Sequence, residues 1–205
     1  LSEVLITLAI IGVVSAITIP MVIANIQKQE NVEKLKKADS VLRQSILKIS
    51  VKEGAPVGDF SFMQNDDFFN SFIKEVDTVK VCQGNVLGCF TNNSIKLLNG
   101  KNYGKFNRSN SLITNDGIAY GWDSRYCIGK GITVEDQENC IGRFIIDING
   151  ERSPNQFGID VFFFTVVDKK GIVPAGSGNN SSDCSRKSDG IMCAAKVLQE
   201  GRISY

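Results

Sequence analysis

The chain has 205 residues, 42% of them hydrophobic, with a formal net charge of +1 and not one histidine. A balanced charge argues against a general nucleic-acid binder. The missing histidine excludes the usual Ser-His and Cys-His nucleophile arrangements.

The first stretch, LSEVLITLAIIGVVSAITIPMVIANIQ, carries no charge between Glu3 and Lys28. As a helix, residues 4–27 would span about 36 Å, enough to cross a hydrocarbon core of about 30 Å. An ionised Glu3 at the buried end would cost several kcal/mol unless paired. The pattern then turns amphipathic without a break, with Ile26, Leu35, Ala38, Leu42, Ser45 or Ile46, and Ile49 recurring every three or four residues. One helix therefore leaves an apolar environment and continues as the spine of a soluble head, ending near Glu53 because Gly54, Pro56 and Gly58 follow. A secretory signal peptide would have a shorter apolar part and a small-residue cleavage site, and neither is evident.

The segment SEVLITLAIIGVVSAITIP, with Glu3 and Pro20 seventeen residues apart, resembles the N-terminus of type IV pilins and of the pseudopilins of type II secretion. The resemblance covers about the first 30 residues. In that family a leader is removed, the new N-terminal residue is N-methylated, and the glutamate stands at the fifth mature position, so it implies two residues before Leu1. It also implies an α+β fold in which a long N-terminal spine packs on an antiparallel sheet. The expected divisions are a transmembrane or filament-core helix over 1–27, its amphipathic continuation over 28–53, and an extracytoplasmic head over 54–205. The function implied is a non-enzymatic structural subunit that polymerises into a type IV pilus or pilus-like filament. A secretion pseudopilin and a minor tip pilin acting as adhesin or receptor are the alternatives. Partners would be other copies of the chain, a prepilin peptidase and the inner-membrane assembly machinery, with no nucleic acid. The chain would begin as a single-pass precursor in the bacterial inner membrane and finish in a surface filament. The residues expected to matter for assembly are Glu3, Leu5, Gly12 and Pro20. Several pilins unwind near the last two on assembly.

Residues 28–53 hold seven Lys/Arg against four Asp/Glu. Taken alone, this excess would place the head in the cytoplasm, whereas in the family the removed basic leader sets the orientation. Six cysteines, all in the head, point the same way. With no Cys-x-x-Cys and no histidine a zinc site is disfavoured, and disulfides in an oxidising compartment are expected. Their grouping suggests local pairs, Cys82 with Cys89, Cys127 with Cys140, and Cys184 with Cys193.

Beyond Gly58, FSFMQNDDFFNSFIKEV reads as a short helix capped by Asn65 or Asp66, its Phe68, Phe69, Phe72, Ile73 and Val76 destined for the core. Residues 78–105 read as an irregular connection. A hairpin should turn at Asn115-Asp116-Gly117, flanked by Ile113, Ile118 and Tyr120. Residues 123–139 form an excursion bracketed by Cys127 and Cys140. RFIIDI, DVFFFTVV and the run after Lys169-Lys170-Gly171 supply further strands, giving three or four in a meander. A polar loop held by the last cysteine pair precedes a short C-terminal helix or strand.

Among chemical motifs, Ser45–Lys48 and Ser71–Lys74 have Ser-x-x-Lys spacing, and Ser188-Asp189-Gly190 partly echoes a companion motif, but Lys-Thr-Gly is missing. Gly129-Lys130-Gly131 is too short for a phosphate loop. No cofactor is expected. The best metal candidate is calcium at Asp147, Asn149 and Asp160, because oxygen ligands around a glycine turn suit that ion, although Asn149-Gly150 is equally a hairpin signal. Asn92, Asn107, Asn179 and Asn180 lie in Asn-x-Ser sequons.

Overall fold

A computed structural model of the chain describes residues 2–60, 63, 67–83, 88–90, 94–104, 110–124, 136, 138–150, 152–178 and 184–205. Helix α1, Ser2–Glu53, runs unbroken for 52 residues, about 78 Å at 1.5 Å per residue. Its second half buries Val32, Leu35, Ala38, Leu42, Ile46 and Ile49 along one stripe. Six such side chains contribute on the order of 10 kcal/mol of apolar burial. Ile26, expected to begin that stripe, is exposed instead. The head reaches down the helix only to the neighbourhood of Lys28, so a residue below it has nothing to pack on.

The head is a six-stranded antiparallel sheet in the order β1-β4-β5-β6-β7-β8. Strands β1 (Thr78–Cys82), β4 (Asn110–Thr114), β5 (Ala119–Asp123), β6 (Cys140–Asp147), β7 (Val161–Val167) and β8 (Gly171–Pro174) form it, while β2 (Ile95–Lys96) and β3 (Asn102–Gly104) make a separate small ladder. The meander runs from β4 to β8, and β1 extends it at the edge by pairing Val81 with Leu112. The expected irregular connection over 78–105 thus contains three strands, and the sheet has six strands rather than three or four. In β1 both Val79 and Val81 are exposed, so no inward-facing pattern marked it; pairing with β4 makes it a strand.

One sheet face packs on α1 and on α2, Asp67–Glu75. Phe68, Phe69 and Phe72 of α2 sit among Tyr120, Trp122 and Phe144, with the Phe68–Trp122 and Phe72–Phe144 centroids at 5.2 and 4.8 Å. The residues expected to cap α2, Asn65 and Asp66, lie outside the described residues. Trp122 lies across Gly142, where an added Cβ would come within 2.3 Å of the indole. On the opposite face Ala119, Ile145 and Phe163 meet Phe90, Ile95 and Phe157. Strand β7 is therefore covered on both sides, which is why VFFFTVV reads as a continuous apolar run rather than an alternation. The C-terminal segment resolves to a helix, α3, Cys193–Glu200.

Disulfides Cys82–Cys89 and Cys184–Cys193 close loops with sequence separations of 7 and 9. Cys140 is also disulfide-bonded. Cys127 lies outside the described residues, as does most of the 123–139 excursion.

Candidate functional site

The apolar half of α1 leaves the head entirely. Of the twenty large hydrophobic side chains that stay exposed among the described residues, fourteen lie between positions 4 and 26. By length and composition this helix can cross a membrane. Leaving that much apolar surface in water would cost on the order of 20 kcal/mol. Both threonine hydroxyls within the stretch bond the helix's own backbone: Thr7 Oγ1 donates to the Val4 carbonyl (2.9 Å) and Thr18 Oγ1 to that of Val14 (3.0 Å). Such back-bonding satisfies a polar group where water is absent. Pro20 stands inside the helix and, lacking an N–H, cannot bond the carbonyl of Ala16. A Cβ added at Gly12 would meet nothing. Leu5 is exposed near the tip, as is Glu3, which has no partner within the chain among the described residues. Of the four expected assembly residues, all therefore lie on the projecting segment and none is used by the head.

The calcium candidates do come together. The β6–β7 connection buries Asp147 and Asp160 completely. Asp160 accepts hydrogen bonds from the backbone N–H of Asn155 (2.9 Å) and Gln156 (2.5 Å), and from Asn149 Nδ2 (3.0 Å). Asp147 Oδ1 accepts from the Asn149 N–H (3.2 Å), and Oδ2 from the Asn155 side-chain amide (3.1 Å) once that amide is oriented by its neighbours. A cation would need those same oxygens, and N–H dipoles already point at them. Among the described residues no group of three or more acidic, Cys or His side chains could hold a metal. The three calcium candidates, Asp147, Asn149 and Asp160, thus meet at one place, where their hydrogen bonds tie down the β6–β7 loop. Burial, with the neighbouring Asp160 charge second, holds the Asp147 carboxyl well above the usual range; burial likewise raises Asp160.

Among the described residues no hydrogen bond joins either Ser-x-x-Lys pair. Ser45 Oγ is buried and donates to the Val41 carbonyl on its own helix (2.8 Å), and no hydrogen bond joins Ser71 to Lys74. Ser188 and Asp189 stabilise a turn through Ser185 and Ile191. Gly129-Lys130-Gly131 and the four sequon asparagines lie outside the described residues.

Sequence reasoning missed the ion pair between Lys37 on α1 and Asp116 in the β4–β5 turn (2.8 Å). Burial alone would raise Asp116, but the hydrogen bonds from Lys37 and Thr114 outweigh it and lower its pKa. The signal was available only as a turn acid and a helix lysine, two features that local spacing does not connect. No family model, curated protein or solved structure matches the chain.

Proposed function

We propose that this chain is a structural subunit of a type IV pilus or pilus-like filament, held in a membrane by residues 4–27 before assembly and polymerised through the same segment afterwards. One observation carries the reading: a single continuous helix is built into the head along its second half and offers a bare apolar rod along its first. A mere anchor would need the rod but not the buried-end acid. Glu3, at the tip, requires a positive charge, and the N-terminal amine of a neighbouring subunit is the group that the resemblance supplies. The Cys82–Cys89 and Cys184–Cys193 bonds suit an extracytoplasmic head.

A secretion pseudopilin and a tip adhesin share the same rod and differ in abundance and place. Electron microscopy of sheared surface material, with the chain detected by antibody, tests the reading. Abundant filaments labelled along their length support the main proposal, and label confined to tips or to short periplasmic stubs selects an alternative. Membrane-bound monomer alone, in cells making other filaments, refutes polymerisation.

A further inference from the structure

At the foot of the head, where α1 leaves it, lies an open cleft of about 490 Å³ lined by Lys28, Asn99, Gly100, Gln156, Arg186 and Tyr205. Lys28 is the first residue of α1 past the exposed apolar run that bonds to the head, its Nζ donating to the main-chain oxygen of Tyr205 (3.1 Å). It lies two residues beyond Ile26, the last of the bare apolar side chains before the head. The cleft's polar side chains are already engaged: Gln156 Nε2 donates to the Leu97 and Leu98 carbonyls, Asn99 Oδ1 accepts from the Lys101 N–H, and Tyr205 Oη donates to the Gly158 carbonyl. Asp189, two residues from Lys187, accepts from the Ile191 N–H. Among the described residues, Lys28, Lys101, Arg186 and Lys187 pair with no Asp or Glu side chain; higher on the helix Lys36, Lys37, Arg43 and Lys52 do so, while Lys34 and Lys48 do not.

Depth along the helix decides what these cations face. Residues 4–27 span about 36 Å against a hydrocarbon core of about 30 Å, which puts Lys28 and the cleft beside it in the headgroup layer. Cations there meet phosphate, and both a guanidinium and an ammonium form charge-assisted hydrogen bonds to it. We infer that the cleft binds the phosphate of an anionic phospholipid, seating the head on the bilayer while the chain is membrane-resident. This rests on the membrane reading above. Entry into a filament would break the contact, since the rod then leaves the lipid.

The test uses the full chain in nanodiscs of phosphatidylcholine and in nanodiscs of an equal mixture with phosphatidylglycerol, followed by amide hydrogen exchange. Each basic residue beside an anionic surface favours contact by about fivefold. Exchange across 98–101 and 184–188 should therefore slow by about fivefold or more in the anionic discs. Arg186→Glu with Lys187→Glu should return those rates to the phosphatidylcholine values, and Arg186→Lys should retain most of the protection. Equal rates in the two discs would overturn the proposal. Protection produced by inorganic phosphate in phosphatidylcholine discs would overturn the lipid as the source, leaving a site for free phosphate. A chain that fails to co-elute with either disc would instead refute the membrane reading itself.

Discussion

At the tip of α1 a single carboxylate, Glu3, is exposed with no partner among the described residues. In a low-dielectric surrounding a lone charge is far costlier than a paired one, and the proposed function takes the partner of Glu3 from a neighbouring subunit. Glu3→Ala should leave the head folded and the chain in the membrane while filament yield falls at least tenfold, read by shearing and quantitative blotting; an undiminished yield would refute the pairing. Asp147 and Asp160 make a prediction of opposite character. Their native carboxyls bind protons more tightly than unfolded aspartate, whose pKa is about 3.9. The stabilisation they give is full below that value and is lost as pH rises through their raised native values. Asp147→Asn should flatten that decline, measured as chemical-denaturation stability across the pH series, and an unchanged slope would contradict it. Gly142 is legible only afterwards. The sequence shows a glycine in a strand, but the need for it comes from Trp122, twenty residues away, lying across its Cα. Gly142→Ala should cost about 1–3 kcal/mol through overpacking, checked by thermal unfolding. Likewise the spacing of Asp147, Asn149 and Asp160 disclosed that they meet, but their role depends on which N–H groups the loop aims at them, and spacing does not carry that.

Elements with a strong period or a strict turn were readable in advance. The α1 stripe from Leu35 to Ile49, the end at Glu53, the hairpin at Asn115-Asp116-Gly117 and the two local disulfides follow from signals within about fifteen residues. Strand β1 was not, because an edge strand with exposed valines is defined by its neighbour. Helix α1 also contains a latent weakness. In the single chain it continues through Pro20, although proline there costs about 3 kcal/mol or more and Gly12 roughly 1 kcal/mol relative to alanine. Val13, Val14, Ile17, Thr18 and Ile19, between them, are β-branched. A bilayer enforces the helix because open backbone groups in lipid cost more than the strain. In a filament, where neighbouring rods replace lipid, we expect the segment between Gly12 and Pro20 to lose helical structure. Solid-state NMR shifts for residues 13–19 should move from helical values in bilayers to extended ones in filaments; helical shifts in both would disprove it. The Cys184–Cys193 staple should contribute about 2.5–3 kcal/mol by the chain-entropy account. Replacing both cysteines by serine should lower stability by that order, measured by urea unfolding.

For the whole molecule, the division of labour lies along α1. Its upper half joins a head whose sheet is covered on both faces, and its lower half projects as bare apolar surface with one acid at the end and a basic floor at its root. Under the proposed function such a molecule has two settings, lipid around the rod or other rods around it. The measurement that most directly tests this account is a helical reconstruction of filaments formed by the chain. It should show residues 4–27 bundled at the centre, Glu3 within ion-pair distance of a neighbouring N-terminus, and the sheet-bearing heads outside. A filament built by head-to-head contacts, with the apolar rods absent from its core or still embedded in lipid, would contradict it.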